Sequence, residues 1–218
     1  MARKIFDTIK VETATQRDAA LEILRSTYKE EKGWVKNEET LLSESDLASR
    51  TIAWFLTSVN HKPAGVLRVL YDPSFAEYAA YDLKLRQSSF DVNEFLRNNK
   101  IAEIGRFAVV VEYRSEIKVV LHLMRAATED TVRRGYSHYI TDVFEGEEHS
   151  PYEFHTKVVG FQPVATHDTG EMNCNRRRIT LVLNLREAYQ RLRRNGNAFY
   201  RFITQGWDET MHHALSTP

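Results

Sequence analysis

Ile101-Ala102-Glu103-Ile104-Gly105-Arg106-Phe107-Ala108-Val109-Val110-Val111 decides the fold. It is the most apolar run of strand length in the chain. A strand this apolar belongs where both faces are covered, so it is expected at the centre of a sheet. Two charged side chains, Glu103 and Arg106, interrupt it. Charge inside apolar β-structure needs a partner or a task. Residues three apart on a regular strand point to opposite faces. Glu103 and Arg106 can share a face only if the strand is kinked. Gly105 stands between them, and bulges favour both glycine and active sites. A bulge near Gly105 would let the two meet.

Downstream, a helix is expected from about Glu116 to Arg134. Ile117, Val120, Met124 and Ala127 form one apolar row, and Val119, Leu123 and Ala126 a second. Such a broad face packs on a sheet. Arg133-Arg134-Gly135 closes the helix with basic residues at its negative end and glycine beyond. Tyr136 to Phe144 reads as a strand, Pro151 to Val159 as a shorter helix stopped by Gly160, and Phe161-Gln162-Pro163-Val164 as the start of another strand. Ile179 to Leu185 is the last strong strand. Helical patterns follow at Glu187 to Arg194 and from Ala198 to about His213.

Upstream, Thr51 to Val59 and Ala64 to Tyr71 are rich in β-formers and flank Asn60-His61-Lys62-Pro63, a hairpin signature. Ile5 to Val11 reads as an opening strand. Thr15 is the expected cap of a helix to about Lys32, with Ala20, Ile23, Leu24, Thr27 and Tyr28 as its buried stripe. Residues 73–100 are mixed, with a short helix at Val92 to Asn99. This order implies an α/β (α+β) fold, a mixed sheet with helices on both faces. Residues 1–185 are expected to form one domain, and 186–218 a helical extension packed on it.

The totals fit one α/β domain. The chain has 218 residues, 42% hydrophobic and 28% charged, and a formal net charge of zero. Neutrality argues against a whole-protein preference for nucleic acid. Charge is uneven, however: from Glu171 to Pro218 there are eight Arg against one Asp and three Glu. Cys174 is the single cysteine. It sits in a polar connector, reads as a bystander thiol, and suits a reducing, cytoplasmic setting. No secretory signal or transmembrane run is apparent. The eight His contain no zinc-type spacing, so no metal site is expected; His149, His155, His212 and His213 read as surface residues. No P-loop or Rossmann fingerprint exists.

Over roughly residues 5–185 the element order resembles the GNAT acyltransferase superfamily, whose sheet is mixed and mostly antiparallel. Phe154-His155-Thr156-Lys157-Val158-Val159-Gly160-Phe161 resembles the helix ending in Gly-Phe that many GNAT enzymes carry. Two features differ from the common pattern. Arg114-Ser115-Glu116-Ile117-Lys118-Val119 has Ile117 and Val119 where the coenzyme A pyrophosphate loop has glycines, and Thr156 stands near the usual Tyr acid. A narrower resemblance covers both. Gly65-Val66-Leu67-Arg68-Val69-Leu70 and Glu103-Ile104-Gly105-Arg106-Phe107 are similar to the G-x-x-R-L and E-x-x-R-F motifs of acyl-homoserine-lactone (autoinducer) synthases. They are similar too to those of the related long-chain N-acyl amino acid synthases. Of the autoinducer N-terminal pattern, Arg25, Trp34 and Asp46 fall loosely in place without a second paired Asp. That favours an amino acid acceptor.

The resemblance implies an N-acyltransferase that moves a long-chain acyl group from acyl carrier protein to the α-amine of an amino acid, tyrosine or another aromatic being candidates. No permanently bound cofactor is implied; the donor is an acyl-phosphopantetheine thioester, with coenzyme A the second choice. Glu103 is the candidate base, its alternative being a structural ion pair with Arg106 or Arg68. Arg68 and Arg106 are candidates to clamp the acceptor carboxylate or to neutralise Glu103. The family's bulge aims a backbone N–H at the thioester carbonyl, expected here near Phe107 or Ala108. Trp54, Phe55, Phe107, Val109 and Leu123 are candidates for an acyl slot or ordinary core. Arg114 and Lys118 are expected where phosphopantetheine enters, with Arg176 to Arg178, Arg191, Arg193 and Arg194 as a possible extension of the basic landing surface or plain solvated charge. Rival readings are an acyl-homoserine-lactone synthase, a coenzyme A-dependent N-acetyltransferase, and a non-catalytic acyl-binding module.

Overall fold

In the computed structural model, which describes residues 4–86, 90–148, 150–170 and 172–216, the chain opens with β1 (Phe6–Lys10) and α1 (Ala14–Leu24). There follow α2 (Glu44–Ala48), β2 (Ile52–Val59), β3 (Lys62–Tyr71), α3 (Phe75–Ala80), β4 (Lys84–Leu85) and α4 (Val92–Asn98). The middle holds β5 (Ile101–Val109), α5 (Ile117–Arg133) and β6 (His138–Phe144). The last elements are β7 (Gln162–His167), β8 (Arg178–Asn184), α6 (Leu185–Arg194), α7 (Ala198–Ile203) and α8 (Glu209–Ser216). π-Helical segments extend α1 over Arg25–Glu31 and precede β7 over Phe154–Val159.

The strands form an eight-stranded sheet in the order β1-β2-β3-β5-β6-β8-β7-β4. Pairs β1–β2, β2–β3, β4–β7, β6–β8 and β7–β8 are antiparallel, and β5–β6 is parallel. A parallel pair needs a crossover, and α5 supplies it. Two compact units divide the chain: Met1–Leu70 with Ile104–Asp130, and Tyr71–Glu103 with Thr131–Pro218.

In the first unit, the hairpin turns on Asn60 (φ +49°) and His61 (φ +67°). Two successive left-handed residues make the type I′ turn whose twist matches its strands. That turn, with a one-residue register shift between Thr57 and Ser58, gives the pairing in which Trp54 faces Arg68 and Phe55 faces Leu67. α5 lies directly on β3. A Cβ at Gly65 would meet Val119 Cγ1 at 2.7 Å, Leu123 Cδ1 at 3.1 Å and the Ala108 carbonyl at 3.3 Å. The motif glycine is thus required by helix–strand packing. α1 presents Ala20, Ile23, Leu24, Thr27 and Tyr28 as its buried stripe. Its cap is Thr13 rather than the expected Thr15: Thr13 Oγ1 accepts from Gln16 N, and Gln16 Oε1 accepts from Thr13 N at 3.1 Å. This reciprocal capping box outcompetes a lone threonine two residues later.

In the second unit, β6 and β8 pair along seven residues, His138↔Asn184 to Phe144↔Arg178. A core of Tyr78, Ile101, Ile140, Val164, Ala165 and Val182 lies under α3 and α4. α3 and β4 occupy the stretch that sequence left as mixed. The C-terminal helices carry an aromatic cluster in which Tyr189 stacks on Trp207, and the Tyr189 hydroxyl meets His212 Nδ1 at 2.8 Å. The last helical stretch is two helices, interrupted at Gly206 (φ +86°).

Two surface expectations are corrected here. His155 is buried, enclosed by Phe154 and Phe161 at ring distances of 5.9 and 4.8 Å. Arg178 is buried because its guanidinium donates to the carbonyls of Asp168 and Met172 and lies over Phe144. Cys174, read as a bystander thiol, is free and buried. His213 is exposed, and His149 falls outside the described residues.

Candidate active site

The backbone of β5 departs from a regular strand at Arg106, whose φ is +49°. The break falls on the bulky residue after Gly105, not on the glycine. A non-glycine residue here stores roughly 1–3 kcal/mol of strain, which the surrounding structure must impose. Arg106 is 6% exposed. Its neighbour Phe107 is half-buried and Ala108 buried. The Phe107 carbonyl accepts a 2.8 Å hydrogen bond from the Tyr28 hydroxyl. A strand carbonyl is thus held by a side chain from the π-helical end of α1. Burial pushes the Tyr28 phenol up to about 12, with the charges of Arg106 and Arg68 pulling the other way. Tyr28 therefore keeps its proton and remains a donor. The Tyr28 ring tilts against Trp34 at 5.8 Å.

Arg68 is half-buried, opposite Trp54 in the β2–β3 ladder. Trp54 is buried, and its indole N–H donates to Asp46 Oδ2 at 3.0 Å. Ser43 fixes the other Asp46 oxygen. Phe55 and Leu123 are core residues, while Val109 is half-buried.

In the second unit, Glu103 is half-buried on the part of β5 that pairs with β6. Its Oε2 accepts from the Tyr78 hydroxyl at 3.0 Å. Burial, then the negative charges of Glu103 and Asp142, hold the Tyr78 phenol well above its usual range. Tyr78 meets Tyr81 edge-on at 5.6 Å, and Tyr81 stacks on His167 at 5.0 Å. His167 presents Nε2 to Asp142 Oδ2 at 3.1 Å and Nδ1 to the Thr169 carbonyl at 2.6 Å. Thr180 donates to Asp142 Oδ1 at 2.8 Å. The arrangement places a half-buried carboxylate against a buried phenol that donates to it. Such a group can accept a proton from an incoming nucleophile.

The basic residues are placed as follows. Arg114 grips both oxygens of Glu31 and donates through Nε to the Val109 carbonyl at 3.1 Å. Lys118 is exposed, its Nζ 5.7 Å from the Phe6 ring centroid. Arg176 pairs with Glu147 and the Gly146 carbonyl, Arg177 with Asp168. Arg191 caps the Val159 carbonyl at 2.6 Å. Arg193 and Arg194 are exposed. Of the two positions where the common pattern has glycine, Ile117 is 54% exposed and Val119 is packed on Gly65. Thr156 donates to the Tyr152 carbonyl at 2.8 Å, an intrahelical bond.

Sequence reading missed the partnership of Tyr28 with Phe107 and overlooked Tyr78, Asp142 and His167. The α1 stripe marks Tyr28 as buried but does not name what its hydroxyl meets, and Tyr78 lies in a segment too short to show a period. Among the described residues no group of three or more His, Cys, Asp or Glu could hold a metal ion, and no helix is long and apolar enough to cross a membrane.

No protein-family model matches the sequence, and no curated protein matches it. Solved structures do match. FeeM, an N-acyl amino acid synthase from uncultured soil microbes, is 16% identical with a TM-score of 0.67, covering 92% of this chain and 99% of its own. A GNAT-family protein from Desulfovibrio desulfuricans is 10% identical with a TM-score of 0.56, over 83% and 99%. The ribosomal-protein-S18-alanine N-acetyltransferase of Escherichia coli is 13% identical with a TM-score of 0.52, over 84% and 94%. At these identities the likeness is one of fold: the chain folds as GNAT-type proteins do.

Proposed function

We propose that this protein is an N-acyltransferase that joins a long-chain acyl group, delivered as a thioester on acyl carrier protein, to the α-amine of an amino acid. The observation that carries the reading is the left-handed Arg106 in the middle of β5, with a buried guanidinium three residues after a half-buried carboxylate. Strain of this kind persists where the site needs it. The fold likeness to an N-acyl amino acid synthase supports the same reaction class.

In this reading the α-ammonium first loses one proton to solvent. The neutral nitrogen attacks the thioester carbonyl carbon, and Glu103 takes a second proton from it as the carbon–nitrogen bond forms. Backbone N–H groups at Phe107 and Ala108, turned by the break at Arg106, stabilise the tetrahedral oxyanion. Collapse breaks the carbon–sulfur bond, and the proton passes to the departing phosphopantetheine thiolate. Arg68 and Arg106 receive the acceptor carboxylate, since a planar fork matches a planar carboxylate. Trp54 and Phe107 border the acyl chain. Lys118 and Arg114 supply positive charge for the acidic carrier. The single buried thiol suits a cytoplasmic setting.

The test is expression in a bacterium followed by mass spectrometry of extracted lipids. Appearance of N-acyl amino acids, absent from cells carrying Glu103→Gln, is the expected result. Homoserine lactones or acetylated amines in their place would contradict it.

A further inference from the structure

We infer that Tyr78 is the positioning residue for Glu103: its hydroxyl holds the carboxylate in one orientation and tunes how readily that carboxylate takes a proton. The inference rests on the reading of Glu103 as the base.

Tyr78 is suited to the task by rigidity. It is 2% exposed, and its ring is packed among Ile101, Ile140, Val164, Ala165 and Val182. Its hydroxyl lies 3.0 Å from Glu103 Oε2. The other nearby carboxylate, Asp142 of β6, accepts from Thr180 of β8 on Oδ1, and His167 Nε2 of β7 lies 3.1 Å from its Oδ2. Tyr81, from the turn after α3, stacks on His167 and meets the Tyr78 ring edge-on. The hydroxyl is thus directed to Glu103 while Asp142 is retained by its own pair. Burial and the two negative charges keep the phenol protonated throughout the working pH range. Tyr78 can only donate, and a donated hydrogen bond favours the ionised carboxylate. Without that bond the carboxylate would bind a proton more tightly.

The test is a titration that does not depend on turnover. The 13C side-chain carboxyl resonance of Glu103, assigned by its loss in Glu103→Gln, is followed against pH in wild type and Tyr78→Phe. The expected result is a midpoint about half a unit or more higher in Tyr78→Phe. The acid limb of kcat/KM should rise by the same amount. The kcat should fall roughly tenfold, with KM for the amino acid within about twofold. Incorporation of 3,5-difluorotyrosine at position 78, a stronger donor of nearly the same shape, should move the midpoint down, and it serves if Tyr78→Phe folds poorly. Unchanged midpoints in these variants overturn the role of Tyr78. Full activity in Glu103→Gln overturns the reading of Glu103 as base, whatever the titration shows.

Discussion

Two buried tyrosines reach β5, and they treat it differently. Tyr28 donates to the backbone, at the Phe107 carbonyl, beside the cations Arg106 and Arg68. Tyr78 donates to a side chain, at Glu103, beside the anion Asp142. The first holds the shape of the strand next to its strained residue. The second reaches the carboxylate side chain. One strand thus receives a hydrogen bond on its backbone in the first unit and one on a side chain in the second.

The comparison assumes that burial governs the protonation of these groups, and His155 checks this most strongly. Burial lowers its pKa to about 4, the opposite direction to the phenols because its charged form is the acid. The folded state holds the neutral ring, and the unfolded chain binds a proton below its ordinary value near 6.5. Stability should therefore be full above about pH 6.5 and fall as pH drops toward 4, by about 3 kcal/mol. Denaturant melts of wild type and His155→Phe across that window measure it, and an equal slope in both would place the effect elsewhere.

Gly65→Ala probes the frame beneath β5. The added methyl would press on Val119 and the Ala108 carbonyl. A loss of roughly 1–3 kcal/mol is expected by denaturation. The tyrosines themselves should then separate. Tyr28→Phe leaves the Phe107 carbonyl without its donor and should cost about 1–2 kcal/mol of stability. Tyr78→Phe should cost less, since Glu103 is half-buried and solvent can replace the lost bond. Equal losses would erase the distinction. The smallest effect distinguishes strain from charge at Arg106. Arg106→Gly and Arg106→Ala both remove the guanidinium, but only glycine relaxes at φ +49°. The glycine variant should be the more stable by about 1 kcal/mol.

Much of this was legible in the chain itself. The apolar run of β5, the hairpin signal at Asn60-His61 and the stripe on α1 are local patterns, and each element formed where its pattern lay. Glu103 and Arg106 announced themselves as charges among apolar residues. The break in β5 was foreseeable in kind because glycine stands between two charges three apart and the GNAT resemblance implies a bulge in this strand. Its placement on Arg106 rather than Gly105 was not, because left-handed strain on a bulky residue is imposed by surrounding packing. Tyr78 escaped notice because α3 has six residues, too few to show a period. The burial of His155 and Arg178 depends on partners such as Phe161 and the Met172 carbonyl that adjacent sequence does not identify as contacts.

The most direct measurement is single-turnover transfer by Glu103→Gln, with a long-chain acyl carrier thioester and a panel of amino acids as substrates. Loss of the proton acceptor should slow amide formation by about a hundredfold or more, with the melting temperature unchanged. Turnover at close to the wild-type rate would contradict the assignment of Glu103 as the group that takes the amine proton.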